Sequence, residues 1–521
     1  MKEKPSFNLW LQPWIMLEKP TEGIGILSIE QTLLRASDFS TVHDSSPLVV
    51  VGIMRLLIAI LQDTLAPQYN TDLGELWQAG HFPEDKIRAF GKQYAQRFDL
   101  FSENEPFLQT ANVGLVSEKD LNLKTVAYLT CEIPSGTAGT HYRHGGEDAQ
   151  VFCPVCAAKG LLTIPPFATS GGAGIKPSIN GVPPVYVLPG GHNLFESLAA
   201  SLVLPEDYPG PARGVQPDQV WWKRSAVVER SKEVLQVGYL NSLTFPARRV
   251  RLFPETSGAN CTRCGATAPW MVHNMLFEMG ESRPKDSTFW QDPFAAYRVN
   301  DKKAPVPIRP VEGKPLWREY AGLFLHSAGK SVDGKGTIRP KILDRLAILY
   351  EEGYGSQEFQ CFFRVIGLRT DMKAKVFEWM DAGFDVPATL LQSRTAELVV
   401  DPALQFAQEC ASAMTGTFQS QLGANQGRYT HARVSMLAAY WSKLSGAFRD
   451  FVLALSQAGE TTANQRQQLL EDWKKQVLFH TRTCFHAALK TIGNSGRDLR
   501  KRFNAENELN KRLNKLGRLK K

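Results

Sequence analysis

Two Cys-x-x-Cys pairs, Cys153-Pro-Val-Cys156 and Cys261-Thr-Arg-Cys264, stand 104 residues apart, the second followed by Gly265. A two-residue spacer lets both sulfurs of a pair face one ion, and two pairs supply the four thiolates of a tetrahedral zinc site. All-sulfur coordination leaves no position for water or substrate, so such a zinc would be structural, stapling a loop-rich segment to a strand region. The separation is much wider than in a compact zinc ribbon. Spacing alone therefore leaves two other readings: unrelated cysteine pairs, or a redox motif, which needs only one Cys-x-x-Cys. The remaining cysteines, Cys131, Cys361, Cys410 and Cys484, lie on apolar or helical stretches and read as packing residues.

At 521 residues the chain exceeds the roughly 250 to 300 residues at which one hydrophobic core stops growing, which predicts two or more domains. Its 43% apolar, 10% aromatic and 21% charged residues are those of a globular protein and exclude wholesale disorder. The longest apolar run, LVVVGIMRLLIAIL at 48–61, carries Arg55. It falls short of the roughly 20 residues a bilayer core needs, so it reads as a buried helix and no membrane partner is expected. The opening MKEKPSFNLWLQPW lacks an apolar stretch ending in a small-residue cleavage site, which points to the cytoplasm. Thiols stay reduced there, so eight cysteines do not imply a disulfide framework. A net charge of +8 suits an acidic partner such as nucleic acid without requiring one.

The first 110 residues read as short strands and helices, with FNLWLQPWI at 7–15 strand-like. From 132 to 190 the composition turns to Gly, Pro, Ser and Thr, with TAGTHYRHGGED at 137–148 and TSGGAGIKPSINGVPP at 169–184 read as long loops. Segments 217–253 and 287–325 are rich in Trp, Val, Tyr and Phe and predict strands. After Pro387 helical periodicity takes over, at about 388–421, 429–458, 463–490 and 496–518. The fold class expected is α+β: a large mixed α/β N-terminal domain, 1–388, with a zinc-stapled loop region, then a C-terminal four-helix bundle, 389–521.

The glycine-rich run Gly171, Gly172, Ala173, Gly174, Ile175, Lys176 contains neither GK[ST] nor GxGxxG, so it is not a P-loop or a dinucleotide fingerprint. Residues without Cβ let main-chain N–H groups approach a phosphate or a narrow groove, and Lys176 adds charge. An ordinary flexible loop has the same composition. His141, Tyr142, Arg143 and His144 combine cationic and aromatic groups suited to bases and phosphates, or to plain solvation. The terminal stretch 497–521 holds ten Lys or Arg against three acids, with leucines on helical spacing. It reads as a bundle helix with a basic outer face that can touch nucleic acid. No HExxH, GxSxG, Walker or kinase signature is present, so an enzyme is not indicated.

Taken in order, FNLWLQPWI, SIEQTLLRASDF followed by Ser46-Pro47 and the apolar helix, and above all FDLFSENEPFLQ at 98–109 resemble the large subunit (CasA family) of the type I-E CRISPR complex called Cascade. The two cysteine knuckles, the glycine loop and the helical C-terminal region follow in the family's order. The resemblance implies a non-catalytic, DNA-binding subunit of an antiviral RNA-guided complex. In such systems base pairing to the guide reads the target, and protein reads a short flanking motif. The family's large subunit probes that motif from the minor groove with a glycine loop, a lysine and a glutamine wedge. It promotes strand separation and helps recruit the helicase-nuclease.

By that resemblance Gly171, Gly172, Gly174 and Lys176 contact double-stranded target DNA, and Tyr142, Arg143 and His144 meet the guide RNA 5′ handle and other Cascade subunits. Asn260 stands where some members carry the groove-reading lysine; it keeps hydrogen bonding to a base edge but loses the charge. The wedge falls at Met372 or Lys373, where a Met would unstack a base step as other apolar wedges do. Two rival readings remain: a zinc-stabilised nuclease or other enzyme using the His-rich loop at 141–144, and a purely structural scaffold.

Overall fold

The computed structural model describes residues 4–113, 123–131, 150–170, 174–284, 287, 289–300, 303–325, 335–354, 360–370, 376–393, 396–423, 427–457 and 463–518. The chain is a mixture of helices and strands with a helical C-terminal region. It clusters into two compact units. One comprises Met1–Pro310, Ser331–Ser356 and Cys361–Phe384, the other Val311–Lys330, Gln357–Gln360 and Asp385–Lys521.

The apolar run forms the helix Pro47–Leu65, which starts with Pro at a position where a missing N–H costs nothing and ends on Ala66 in the left-handed conformation. It is the one helix among the described residues long and apolar enough to cross a membrane, yet 83% of that window is buried inside the protein. Its neighbour is the helix Pro154–Phe167. Gly52 makes the approach possible, because a Cβ there would lie 2.7 Å from the Leu162 carbonyl oxygen. Arg55, fully buried on this helix, pairs with the equally buried Asp292 at 3.0 Å.

Four three-stranded sheets accompany these helices among the described residues. The sheet that matters for the site has Met271–Met279 at its centre, flanked by Leu123–Thr125 and Arg248–Glu255. Arg248 faces Met279, Val250 faces Phe277 and Leu252 faces Met275, after which the register shifts before Pro254. In a second sheet Gln360–Thr370 lies between Tyr186–Gly190 and Val376–Pro387.

Several local expectations change. Residues 7–14 are not a strand. Asn8 folds the segment into a turn, its side-chain oxygen accepting from Trp10 N at 2.9 Å and its carbonyl from Gln12 N at 2.8 Å. That turn buries both Trp10 and Trp14, and the strand begins only at Ile15–Glu18. Within 217–253 Trp221 and Trp222 fall in a 3₁₀ turn, Trp221–Lys223, and Tyr239 in a short helix, Tyr239–Leu243, before the strand at Arg248. Segment 287–325 gives two strands, Tyr297–Asn300 and Lys303–Pro307, then helical turns from Leu316 to Phe324. Burial of large aromatic side chains, not period-two pairing, decided these segments.

In the second unit the long helices among the described residues are Glu397–Phe418, Gly427–Gln457, Ala463–Lys490 and Gly496–Arg518. Glu397–Phe418 packs on Ala463–Lys490 and Gly496–Arg518, and Gly427–Gln457 packs on Ala463–Lys490. Two buried polar tips stitch them: Trp473 Nε1 donates to the Ala403 carbonyl at 2.8 Å and Tyr440 Oη to the Ala407 carbonyl at 2.9 Å. Residues of Val311–Lys330 belong here too, with Trp317 against Phe448 at 5.0 Å between ring centroids.

Candidate metal centre and nucleic-acid interface

The first knuckle is a helix N-terminus. Cys153 caps the helix Pro154–Phe167, and Cys156 sits in its first turn. The second is a tight turn: Gly265 N donates to the Cys261 carbonyl at 2.8 Å, with Gly265 at φ +75° where a side chain would strain the backbone. Backbone pairing brings the two together. Phe152 and Val272 exchange hydrogen bonds of 2.9 Å, and Thr262 N donates to the Val151 carbonyl at 2.8 Å. The 104 intervening residues are therefore closed by sheet-like contacts as well as by the cysteines.

The four sulfurs of Cys153, Cys156, Cys261 and Cys264 lie within 4.8 Å of one another, three buried and Cys264 exposed. Cys153 Sγ and Cys264 Sγ are 3.7 Å apart, close to the edge of about 3.8 Å expected for sulfurs about 2.3 Å from a tetrahedral ion. Protons are shared unevenly. Cys261 is held far below the ordinary thiol range by hydrogen bonds from Cys153 and Cys156. Cys156 is pushed far up by its bonds to Cys153 and Cys261 and by burial. A divalent cation would replace these protons and let all four sulfurs carry charge together, so the donor set fits a metal ion.

The described ends of the glycine loop sit beside the same sheet. Gly174 adopts φ +80° and faces open space, with nothing within 4 Å of the place a Cβ would occupy. Lys176 Nζ contacts Glu233 Oε1 at 2.5 Å, and both side chains are about half exposed. Lys176 N points at Met279 Sδ, 3.2 Å away. Ser178 N donates to the Ala168 carbonyl at 2.8 Å, and Asn180 donates to Asp292 Oδ2 at 2.9 Å, anchoring the segment after the loop.

Asn260 is exposed next to Cys261, and no hydrogen bond joins it to Gly174 or Lys176 among the described residues. Gly171, Gly172, Met372, Lys373, Tyr142, Arg143 and His144, like His141, lie outside the described residues. Two residues that the sequence reading passed over meet the described flanks of the glycine loop: Arg248, whose guanidinium reaches the Thr169 and Lys176 carbonyls, and Met279, whose sulfur faces Lys176 N. The only sequence signal for Arg248 was its place in the basic run ARRVR.

Fold and site together describe a large mixed α and β protein built around a four-cysteine cluster, with a helical region at its C-terminal end. The family model of CRISPR-associated protein Cse1 matches residues 8–483, and the chain belongs to that family. It is similar to the CRISPR-associated protein CasA/Cse1 of Thermus thermophilus, at 27% identity over 538 residues and 98% of each chain. The crystal structure of Thermus thermophilus CasA superimposes with a TM-score of 0.76 at 24% identity, over 98% of this chain and 100% of that one. A chain of a CRISPR RNA-guided surveillance complex shares the fold with a TM-score of 0.68 at 17% identity, over 91% of this chain and 100% of that one.

Proposed function

We propose that this chain is a non-catalytic subunit of an RNA-guided CRISPR surveillance complex in the cytoplasm. It reads the motif flanking the target in double-stranded DNA, promotes strand separation and helps recruit the helicase-nuclease. The observation that carries this reading is the glycine loop in a chain of the Cse1 family: its described end is exposed at Gly174, and its flanks at Thr169 and Lys176 are tied to Arg248 and Met279 of the sheet beside the cysteine cluster. In this proposal Gly171, Gly172 and Gly174 bring backbone N–H groups into the minor groove. Lys176 exchanges Glu233 for a phosphate; an exposed pair of this kind is worth only about 0.2 to 1 kcal/mol, so the exchange is easy. Asn260 supplies a base-edge hydrogen bond, and Met372 or Lys373 the wedge. Tyr142, Arg143 and His144 meet the guide RNA 5′ handle and other Cascade subunits.

The ion at Cys153, Cys156, Cys261 and Cys264 is proposed to be zinc in a structural role, because four sulfurs leave no open coordination position. Residues 389–521 act as a four-helix bundle following the mixed domain 1–388. The enzymatic reading rested on His141 and His144, and no described feature favours it.

The test is a mobility-shift assay of target duplex with the guide-loaded complex, assembled with wild-type chain, with Gly174→Asp, or without this subunit. A Cβ added at Gly174 meets nothing within 4 Å, and Asp tolerates the left-handed conformation better than most residues. The variant should fold and place a carboxylate where phosphates approach. Binding should depend on the subunit and on the flanking motif, and Gly174→Asp should remove the motif dependence. Equal binding by all three assemblies would refute the groove-reading role.

A further inference from the structure

Arg248 begins the strand Arg248–Glu255 opposite Met279, at 5% exposure. Its guanidinium turns inward and divides its donors between two chain segments. Nη2 donates to the Thr169 carbonyl at 2.5 Å, and Nη1 to the Lys176 carbonyl at 2.8 Å and the Ala247 carbonyl at 2.8 Å. Thr169 and Lys176 bracket the loop 170–175, so one side chain ties its two ends together. Met279 lines the same junction, its sulfur 3.9 Å from Nη1 and 3.2 Å from Lys176 N. No carboxylate pairs with Arg248 among the described residues. Burial lowers the guanidinium to about 10, which leaves it cationic at neutral pH.

A buried cation compensated only by carbonyl dipoles is expensive, and an apolar residue at the end of a core strand would avoid the cost. What arginine supplies in return is a rigid planar fork of five N–H donors able to span two carbonyls. Lysine, a single point charge on a flexible stem, cannot hold both with the same geometry.

We propose that Arg248 is the positioning residue of the glycine loop, clamping the two described residues that flank it, Thr169 and Lys176, and through them supporting its reading of the DNA groove. The proposal rests on the reading of that loop as the groove-reading element. Preorganisation is the physical gain: a loop whose two ends are already tied together loses less conformational freedom on binding.

Arg248→Lys and Arg248→Met test it, alongside wild type and Gly174→Asp. Hydrogen exchange is followed on the full chain, and mobility shifts with matched and mismatched flanking motifs on the guide-loaded complex. The expected result is faster exchange in 168–178, unchanged exchange in 271–279, retained assembly, and a loss of motif discrimination on the order of tenfold, the scale of one charge-assisted hydrogen bond. Arg248→Lys should fall between wild type and Arg248→Met, and it keeps the test open if the Met variant does not fold. Unchanged exchange in the loop would overturn the clamp. Discrimination lost in Gly174→Asp but intact in both Arg248 variants would overturn the positioning role while leaving the glycine-loop reading standing. Discrimination intact in all three variants would remove that reading, and the positioning role with it.

Discussion

Arg55 and Asp292 show what a single buried charge demands of its surroundings. The guanidinium lies 5.2 Å from the Tyr186 ring centroid and 5.8 Å from that of Phe294, out of reach of solvent. Burial works against its charge, and the Asp292 carboxylate together with the Tyr186 and Tyr239 hydroxyls more than offsets this, so Arg55 stays cationic. Asp292 is itself held by Asn180 and by Phe294 N at 3.0 Å. Removing one partner strands the other, so Asp292→Asn should cost about 3 to 5 kcal/mol in urea unfolding. The double variant Arg55→Met/Asp292→Leu should cost clearly less, because no charge is left unpaired. A double variant as unstable as the single one would show that packing, not charge, dominates this position.

Elements in this chain meet through small residues. Gly52 on Pro47–Leu65 lets the backbone of Pro154–Phe167 come within reach, and Gly160 on the latter plays the same part toward Leu129, whose Cβ would lie 2.6 Å from an added one. The obstacle at Gly52 is a carbonyl, which cannot swing aside as a side-chain tip can. Gly52→Leu should therefore force the helices apart, at a cost of about 1 to 3 kcal/mol or more. A melting temperature equal to that of wild type, read by circular dichroism, would contradict it. The contact also bears on the cysteine cluster, because the helix that packs on Gly52 is the one whose N-terminus carries Cys153 and Cys156.

At the scale of the molecule, the cysteine cluster joins segments 104 residues apart within one compact unit. A covalent link closing a loop of about 100 residues would stabilise by about 4 to 5 kcal/mol through loop entropy. Here the Phe152–Val272 and Val151–Thr262 pairs already hold the two knuckles together. Metal removal should accordingly loosen the knuckles and lower the melting temperature without unfolding the chain. Metal analysis of the purified protein should find about one zinc per chain, lost in Cys261→Ser and on chelation. Full stability with no bound metal would exclude the structural-zinc assignment.

The helical C-terminal region, the core helix over the apolar run 48–61 and the two cysteine pairs were legible in the amino-acid sequence, because each is written in local spacing: a 3.6-residue period, an unbroken apolar run, a two-residue spacer. The turn at Asn8, the helical Trp221 and Tyr239 segments and the place of Val311–Lys330 with the C-terminal helices were decided by tertiary structure. In each, large aromatic side chains found burial against residues far away in sequence, and that gain outweighs local strand preference. Arg248 belongs with these. Its residue type suggests surface charge, and only the fold brings the carbonyls of Thr169 and Lys176, 79 and 72 residues earlier in the chain, to where a buried guanidinium can bind both.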